Sequence, residues 1–404
     1  MTIDLTLRTV FWISVSAVMY VYFGYPLLLR VGLFGRRRPL NLATITAQPP
    51  MVSVIIAARN EESGIEAKLT NLLSSSYPRE RMEILVGSDG SSDRTEEIVR
   101  PLASEEVGLI SFPIHQGKSA MQNRLVAAAS GSILVFTDAD CLLSRSAISE
   151  IVANFSDPMV GLVTGRPRYV NRSETNVTEN EDTYLRYETW LREQESARGI
   201  LAMASGSFFA LRRSLWKPLD AHLGDDFALP LHVALSGFRN VLDSRVVAET
   251  QLLQSSPAAM LRLKVRIVSK DFRALLAQAH LLNPFANGRF AVALWSHKLL
   301  RWFVPYFLMS IFVSTSLLWA HPAFRNVAAL QIAFYGAAVI GLVSHRRPLH
   351  PPWSVPASFC LVNFASLLGT LKCLAGRSSG RWEPERAKSA GAKTPEKATL
   401  VREP

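Results

Sequence analysis

Four long apolar runs constrain this chain most, because an uncharged helix as long as a bilayer is thick needs a membrane or a very large core to cover it. Residues Thr9 to Leu29 contain no charged side chain. At ~1.5 Å per residue a helix of that length crosses the ~30 Å hydrocarbon core of a bilayer. Trp302 to Ala320, Val327 to Val343 and Trp353 to Leu371 repeat the property. A cleaved signal peptide is the competing reading of the first run, but the run is too long and ends in Arg30 and then Arg36, Arg37 and Arg38. By the positive-inside bias those arginines mark the cytosolic end, so the segment after them starts in the cytosol. Lys298 and Arg301 before the second run, and His345, Arg346 and Arg347 after the third, agree with that start. A third C-terminal crossing would export the basic segment from Arg377 onward against the same bias, which leaves the side of that segment open.

Composition narrows the partners. Hydrophobic residues make up 49% of the chain, and the net charge is +11. The basic clusters sit beside the apolar runs, where anionic lipid accounts for them and nucleic acid does not. Cys141, Cys360 and Cys373 have no CxxC or Cys/His spacing, so neither a disulfide framework nor a zinc site is expected.

Between Pro50 and about Thr250 the pattern changes to short strands. Val52 to Ala57, Glu83 to Gly87 and Ser132 to Thr137 are apolar and bounded by polar or turn residues, and a helical stretch follows each. Alternating strand and helix imply a mainly parallel sheet covered on both faces, an α/β Rossmann-like layer that binds ligands at the carboxyl ends of its strands. The polar clusters fall there: Arg59-Asn60-Glu61-Glu62, then Ser88-Asp89-Gly90-Ser91-Ser92-Asp93, then Asp138-Ala139-Asp140.

Two nucleotide-binding classes drop out. A dinucleotide fingerprint needs glycines after the first strand, and Ala57-Ala58-Arg59-Asn60-Glu61 has none; a phosphate loop ending in Gly117-Lys118-Ser119 needs a glycine where Phe112 stands. Two carboxylates one residue apart at a strand end, Asp138 and Asp140, can instead share Mg2+ or Mn2+, with a diphosphate completing the oxygen shell. A solvated turn is the plain alternative for such a pair. Lys118 can meet the phosphates as a point charge, or be a solvated loop lysine.

The order of segments VSVIIAARNE (52 to 61), VGSDGSSDRT (86 to 95), HQGKSAMQN (115 to 123), FTDAD (136 to 140), SGSFFALRR (205 to 213) and GDDF (224 to 227) resembles the family 2 inverting glycosyltransferases. The similarity is to the membrane-bound branch that holds hyaluronan, cellulose and poly-N-acetylglucosamine synthases, and it covers roughly residues 50 to 300. It implies a GT-A fold and a metal-dependent hexosyl- or N-acetylhexosaminyl-transferase of cell-surface polysaccharide biosynthesis. By the same resemblance Glu61 and Asp89 hold the nucleoside, Lys118 faces the phosphates, and Asp138 and Asp140 handle nucleotide and metal. Asp226 is then the base, with Asp225 beside it as an orienting group; as a plain alternative, Asp226 caps a helix that starts at Phe227. Gly206, Ser207, Arg212 and Arg213 match the acceptor-side segment, with a tight turn and surface charges as the alternative. The family's second turn has two adjacent acids, whereas Ser88 precedes Asp89 here.

From Met260 to Leu276, Leu261, Val265, Val268, Phe272 and Leu275 recur at helical spacing, with Arg262, Arg266, Ser269 and Arg273 on another side. This predicts a basic amphipathic helix for the inner leaflet or for packing on the catalytic domain. Polymerising relatives carry QxxRW near this point; Leu263-Lys264-Val265-Arg266-Ile267 keeps only Arg266, a candidate diphosphate contact.

The expected organisation is a transmembrane anchor over 1–38, a GT-A domain over 50–254, an amphipathic interface over 255–298, about three transmembrane helices over 299–375 and a disordered basic tail over 376–404. The expected activity moves a sugar with inversion from a nucleotide-sugar, UDP-linked by family weight, to a lipid-linked or glycan acceptor. It would act at a bacterial inner membrane from the cytosolic side, with polysaccharide export machinery as a candidate partner and no nucleic acid. A processive polysaccharide synthase is the alternative within the class, and an inactive transferase-like scaffold the alternative outside it.

Overall fold

The computed structural model describes residues 2–35, 37–38, 48–103, 106–170, 176–250, 256–344 and 351–376. Arg36, His345 to Arg347 and the basic tail from Arg377 lie outside the described residues.

The soluble part is built on one eight-stranded sheet in the order β3-β2-β1-β4-β7-β6-β8-β5. The strands are β1 (Val52–Ala58), β2 (Met82–Asp89), β3 (Val107–Phe112), β4 (Ile133–Thr137), β5 (Leu142–Leu143), β6 (Val160–Tyr169), β7 (Phe208–Arg212) and β8 (Arg239–Thr250). β3, β2, β1 and β4 run parallel to one another, while β7 is antiparallel to both of its neighbours and β5 is antiparallel to β8. Within the parallel half, β1, β2 and β4 match the strands expected from the sequence and β3 is an addition to them, and the sheet as a whole is the GT-A type.

Period-two alternation feeds two cores. Val52, Val54, Ile56 and Ala58 of β1 point to one side with Ile84 and Val86 of β2 and Val135 of β4, against the helices Ile65–Leu73 and Ala147–Ala153. Ile55, Leu85, Leu134 and Phe136 point to the other side, against Met121 and Leu125 of the helix Lys118–Ala128 and Leu229 and Val233 of the helix Asp225–Leu235. Every β1 residue is buried. At roughly 1.5–3 kcal/mol for each fully buried large aliphatic side chain, this two-sided burial fixes where the strands end, and so where the polar turns converge.

Four helices are long and apolar enough to cross a membrane: Ile3–Arg30, Pro284–Leu317, Pro322–Val343 and Pro352–Leu374. The second of these begins well before the expected run at Trp302. A boundary at 299 therefore falls inside a helical segment, which bends at Gly288 (φ 51°, ψ −127°) and again through a π-helical turn at Leu294–Leu299.

The amphipathic helix forms over Pro257–Ala277, capped by the Ser256 hydroxyl, which accepts from the Ala259 amide. Its polar side differs from expectation, because Ser269 is buried together with Phe272 and Leu275. The last apolar helix covers it: a Cβ on Gly369 would stand 2.7 Å from Val268 Cβ. This helix is thus clasped between the sheet domain and the membrane-type helices. An apolar cluster of Phe227, Leu231, Phe272, Leu275, Leu294 and Trp302 ties the three parts together.

Candidate active site

A cavity of about 700 Å³ opens at the carboxyl ends of β1 and β4, and its far wall is made by the apolar helices. That volume accommodates a ligand of nucleotide-sugar size. Glu61, Lys118, Asp138, Asp140, Gly206, Ser207, Asp225, Asp226 and Arg266 all line it.

The turns that shape its floor are locked to one another. Asn60 adopts φ 53°, a left-handed backbone that Asn tolerates better than most residues. From there its side-chain oxygen accepts from the Ser92 amide at 2.8 Å, while its own amide donates to Ser91 Oγ at 3.2 Å. The Glu62 amide donates to Asp93 Oδ2 at 3.0 Å, and Glu61 is buried beneath.

Asp89 lies outside the cavity lining. It is 1% exposed, and its carboxylate accepts from the Gln116 amide at 2.7 Å, the Gly117 amide at 2.8 Å and His115 Nδ1 at 2.7 Å. Those bonds occupy both oxygens and keep Asp89 out of the cavity lining. It holds the loop before Lys118, which Gly117 makes possible with φ 106°.

Lys118 donates to Asp138 Oδ1 at 2.9 Å and lies 3.4 Å from Asp225 Oδ2. Burial alone would depress its ammonium, but Asp138, Asp225 and Asp226 hold it above the usual lysine range. One cation thus bridges the metal-candidate carboxylate and the acidic pair.

Asp225 and Asp226 open the helix Asp225–Leu235, with Gly224 at the cap position, so Asp226 lies within the first turn and does not cap it. Carboxylates there are favoured by the helix dipole. Asp225 accepts from Gln122 Nε2 at 2.8 Å. Burial would raise the Asp225 carboxyl, but Lys118 and Gln122 bring it below the ordinary value. Burial and the neighbouring Asp225 push Asp226 up to about 6. A partly buried carboxylate poised near neutrality suits proton abstraction. A Cβ on Gly206 would lie 3.1 Å from Asp226 Oδ2, so that glycine leaves the space in front of the carboxylate open.

Two expected acceptor residues do not join the cleft. Arg212 donates to the Val160, Phe155 and Asp157 carbonyls, with its guanidinium over the Phe155 ring. Arg213 is exposed beside Ser130. Both follow β7 to its far end: that strand is antiparallel to β4, so only its start, next to Gly206 and Ser207, reaches the cavity.

Several participants carry no sequence signal. Lys68 is wholly buried beneath Asp138 and Asp140, donating to Thr137 Oγ1 at 2.8 Å and to the Cys141 carbonyl. Glu188 receives Arg301 at 2.7 Å and His297 at 2.9 Å, pinning the long helix Asn176–Ala197 to a membrane-type helix. Asp271, on the amphipathic helix, is 5% exposed and lines the cavity. Helical periodicity marks that helix, but not which of its polar residues turn inward.

Among the described residues no group of three or more His, Cys, Asp or Glu side chains gathers as a metal cage. Asp138 and Asp140 both face the cavity and are only half-buried. A pair of open carboxylates fits a hard divalent cation that draws its remaining oxygens from water and a diphosphate.

Residues 53–219 match the Glycosyl transferase family 2 model. A probable glycosyltransferase of Bacillus subtilis (strain 168), YdaM, is 30% identical over 252 residues, covering 57% of this chain and 59% of its own. A beta-monoglucosyldiacylglycerol synthase of Trichormus variabilis is 30% identical over 168 residues, 41% of this chain and 36% of that protein. The chain thus spans between about a third and three fifths of these curated relatives' lengths. A mannosyltransferase of Pyrobaculum calidifontis, solved with GDP-mannose and Mn2+, has the same fold, with a TM-score of 0.69 over 91% of this chain and 99% of that one at 23% identity.

Proposed function

We propose that this protein is a membrane glycosyltransferase that moves a sugar, with inversion, from a nucleotide-sugar to an acceptor held in or at the membrane. The observation that carries this reading is the cavity itself: its lining joins Asp138, Asp140, Lys118 and the base candidate Asp226 from the sheet domain with Tyr22, Trp302 and Asn363 from the apolar helices.

The acceptor hydroxyl loses its proton to Asp226 as its oxygen attacks the anomeric carbon. The bond from that carbon to the diphosphate breaks on the opposite face, so a single displacement inverts the configuration. Asp225 is fixed by Gln122 and Lys118 and orients the pair, while Lys118 offsets negative charge at the phosphates. Glu61 borders the nucleoside end. Arg266 lines the cavity and is the candidate diphosphate contact. Asp138 and Asp140 would hold Mg2+ or Mn2+, which would supply Lewis-acid stabilisation of the departing diphosphate.

The donor is read as UDP-linked, and the acceptor as a lipid-linked or glycan molecule in bacterial cell-surface polysaccharide or glycolipid synthesis, including one handed on to export machinery. The domain faces the cytosol at the inner membrane, the side on which Arg37, Arg38, Lys298 and Arg301 gather. Transfer of a single sugar is favoured over processive synthesis because QxxRW is reduced to Arg266.

The test is nucleotide release by the full-length protein in lipid vesicles, over a panel of UDP- and GDP-sugars with Mn2+ or Mg2+. Release from one donor, stimulated by membrane lipid extract and lost in Asp226→Asn, supports the reading. No release from any donor sinks it.

A further inference from the structure

The helix Pro257–Ala277 turns one carboxylate into the cavity that neither the fold nor the DxD chemistry accounts for. Asp271 is 5% exposed, it lines the cavity, and among the described residues no hydrogen bond or ion pair reaches its carboxyl group. Its carboxyl group faces the open cavity and not a neighbouring side chain, so it is available to pair with a ligand that enters there.

Its position is specific. A Cβ built on Gly224 would stand 3.0 Å from Asp271 Oδ1 and 3.1 Å from Asp226 Oδ1. The two carboxyl groups therefore border one point, and glycine is what lets them approach it. The remaining charged groups that act on Asp271 are Asp225, Lys298 at the foot of a membrane-type helix and Arg192 from the helix Asn176–Ala197, with Lys270 beside it on its own helix.

We propose that Asp271 is an acceptor-binding residue: it forms a hydrogen bond to the hydroxyl-bearing head of the acceptor, next to the hydroxyl that Asp226 deprotonates, so that the amphipathic helix aligns the acceptor with the base. This rests on the glycosyl-transfer reading above and adds a residue and a substrate feature to it. The acceptor must carry a second oxygen close to the reacting hydroxyl, as a sugar or a polyol head group does. Burial and the nearby Asp226 carboxylate push the Asp271 carboxyl up to about 8. At neutral pH it is mainly the protonated acid, able to donate one hydrogen bond and accept another. That form is present below about pH 8 and is lost as the pH rises through it.

The experiment compares full-length wild type, Asp271→Ala and Asp271→Asn in vesicles, titrating membrane lipid extract as the acceptor source. Nucleotide release without acceptor is measured in parallel. Asp271→Ala is expected to raise the half-saturating acceptor level about tenfold, the loss of roughly one hydrogen bond. Donor KM and acceptor-independent release are read in the same samples, so that a shift confined to the acceptor curve is distinguished from a general loss of function. Asp271→Asn keeps a donor and an acceptor and should bind acceptor nearly as well as wild type. Between pH 7 and 9 the wild-type half-saturation should climb while that of Asp271→Asn stays flat. The inference is overturned if neither variant moves the acceptor curve and the wild-type curve is flat with pH. It is also overturned if both variants lose acceptor-independent release, which marks Asp271 as support for Asp226 alone. A wild type that turns over donor but behaves in either way refutes this inference and spares the transferase reading; one that turns over no donor refutes both.

Discussion

On the donor side of the cleft nearly every polar group comes from a turn at the end of β1, β2 or β4, and those turns bond to one another: Asn60 to Ser91 and Ser92, Asp89 to the loop before Lys118, Lys118 to Asp138. On the membrane side Asp226, Asp271, Lys298 and Asn363 arrive on four separate helical segments, and burial of the two carboxyl groups is opposed by cations from other elements, Lys298 and Arg192. The difference separates preorganisation by local hydrogen bonds from preorganisation by long-range packing. A substitution in a donor turn disturbs its immediate neighbours, whereas one on the membrane side changes the charge balance among elements far apart in sequence.

The sharpest way to break this division is Asp226→Asn. It removes the proton acceptor and is expected to lower acceptor-stimulated nucleotide release by about 10²–10⁴-fold, with donor affinity, measured by nucleotide protection against thermal unfolding, left near wild type. If donor affinity falls as far as rate, the two sides are one unit and the comparison fails.

Next in size, Asp138→Asn or Asp140→Asn should cut the rate about 100-fold and raise the Mn2+ or Mg2+ level needed for half-maximal activity, since each removes one hard oxygen ligand. A metal titration that superimposes on wild type would take both residues out of the metal role.

A smaller effect tests the coupling within the acidic pair. With Asp226 pushed up to about 6 and acting, on the proposed mechanism, as the ionised base, the rate at saturating acceptor is expected to fall as pH drops through that value. Asp225→Asn removes the neighbouring negative charge that raises Asp226, and the acid limb of the rate profile should move to lower pH. An unmoved limb would mean that another group sets it.

Arg213→Ala marks the lower bound. This exposed residue at the far end of β7 should leave release and acceptor half-saturation unchanged within error. A clear loss of acceptor binding would restore it to the acceptor side.

The resemblance placed Lys118, Asp138, Asp225 and Asp226 in one cleft because each is tied to a strand end or helix start whose position follows from local pattern. Asp89, Arg212 and Arg213 lie outside that cavity lining for reasons no motif contains. Asp89 spends its carboxylate on three donors of a neighbouring loop. Arg212 and Arg213 ride on a strand whose direction reverses at β4. Asp271 and Glu188 escaped notice because a polar residue in an amphipathic helix looks solvated until its neighbours are known.

The sequence by itself determined that four segments are membrane-length apolar helices, that the segment between them alternates strand and helix, and that acidic turns follow β1, β2 and β4. These properties follow from spacing and polarity along a few consecutive residues, and burial of period-two strands leaves little freedom. Only the tertiary structure decided that the amphipathic helix is clasped by the last apolar helix, that Ser269 and Asp271 face inward, and that Asp271 borders the same point as Asp226. Those facts depend on contacts between residues tens to more than a hundred positions apart, where packing and charge compensation outweigh local preference.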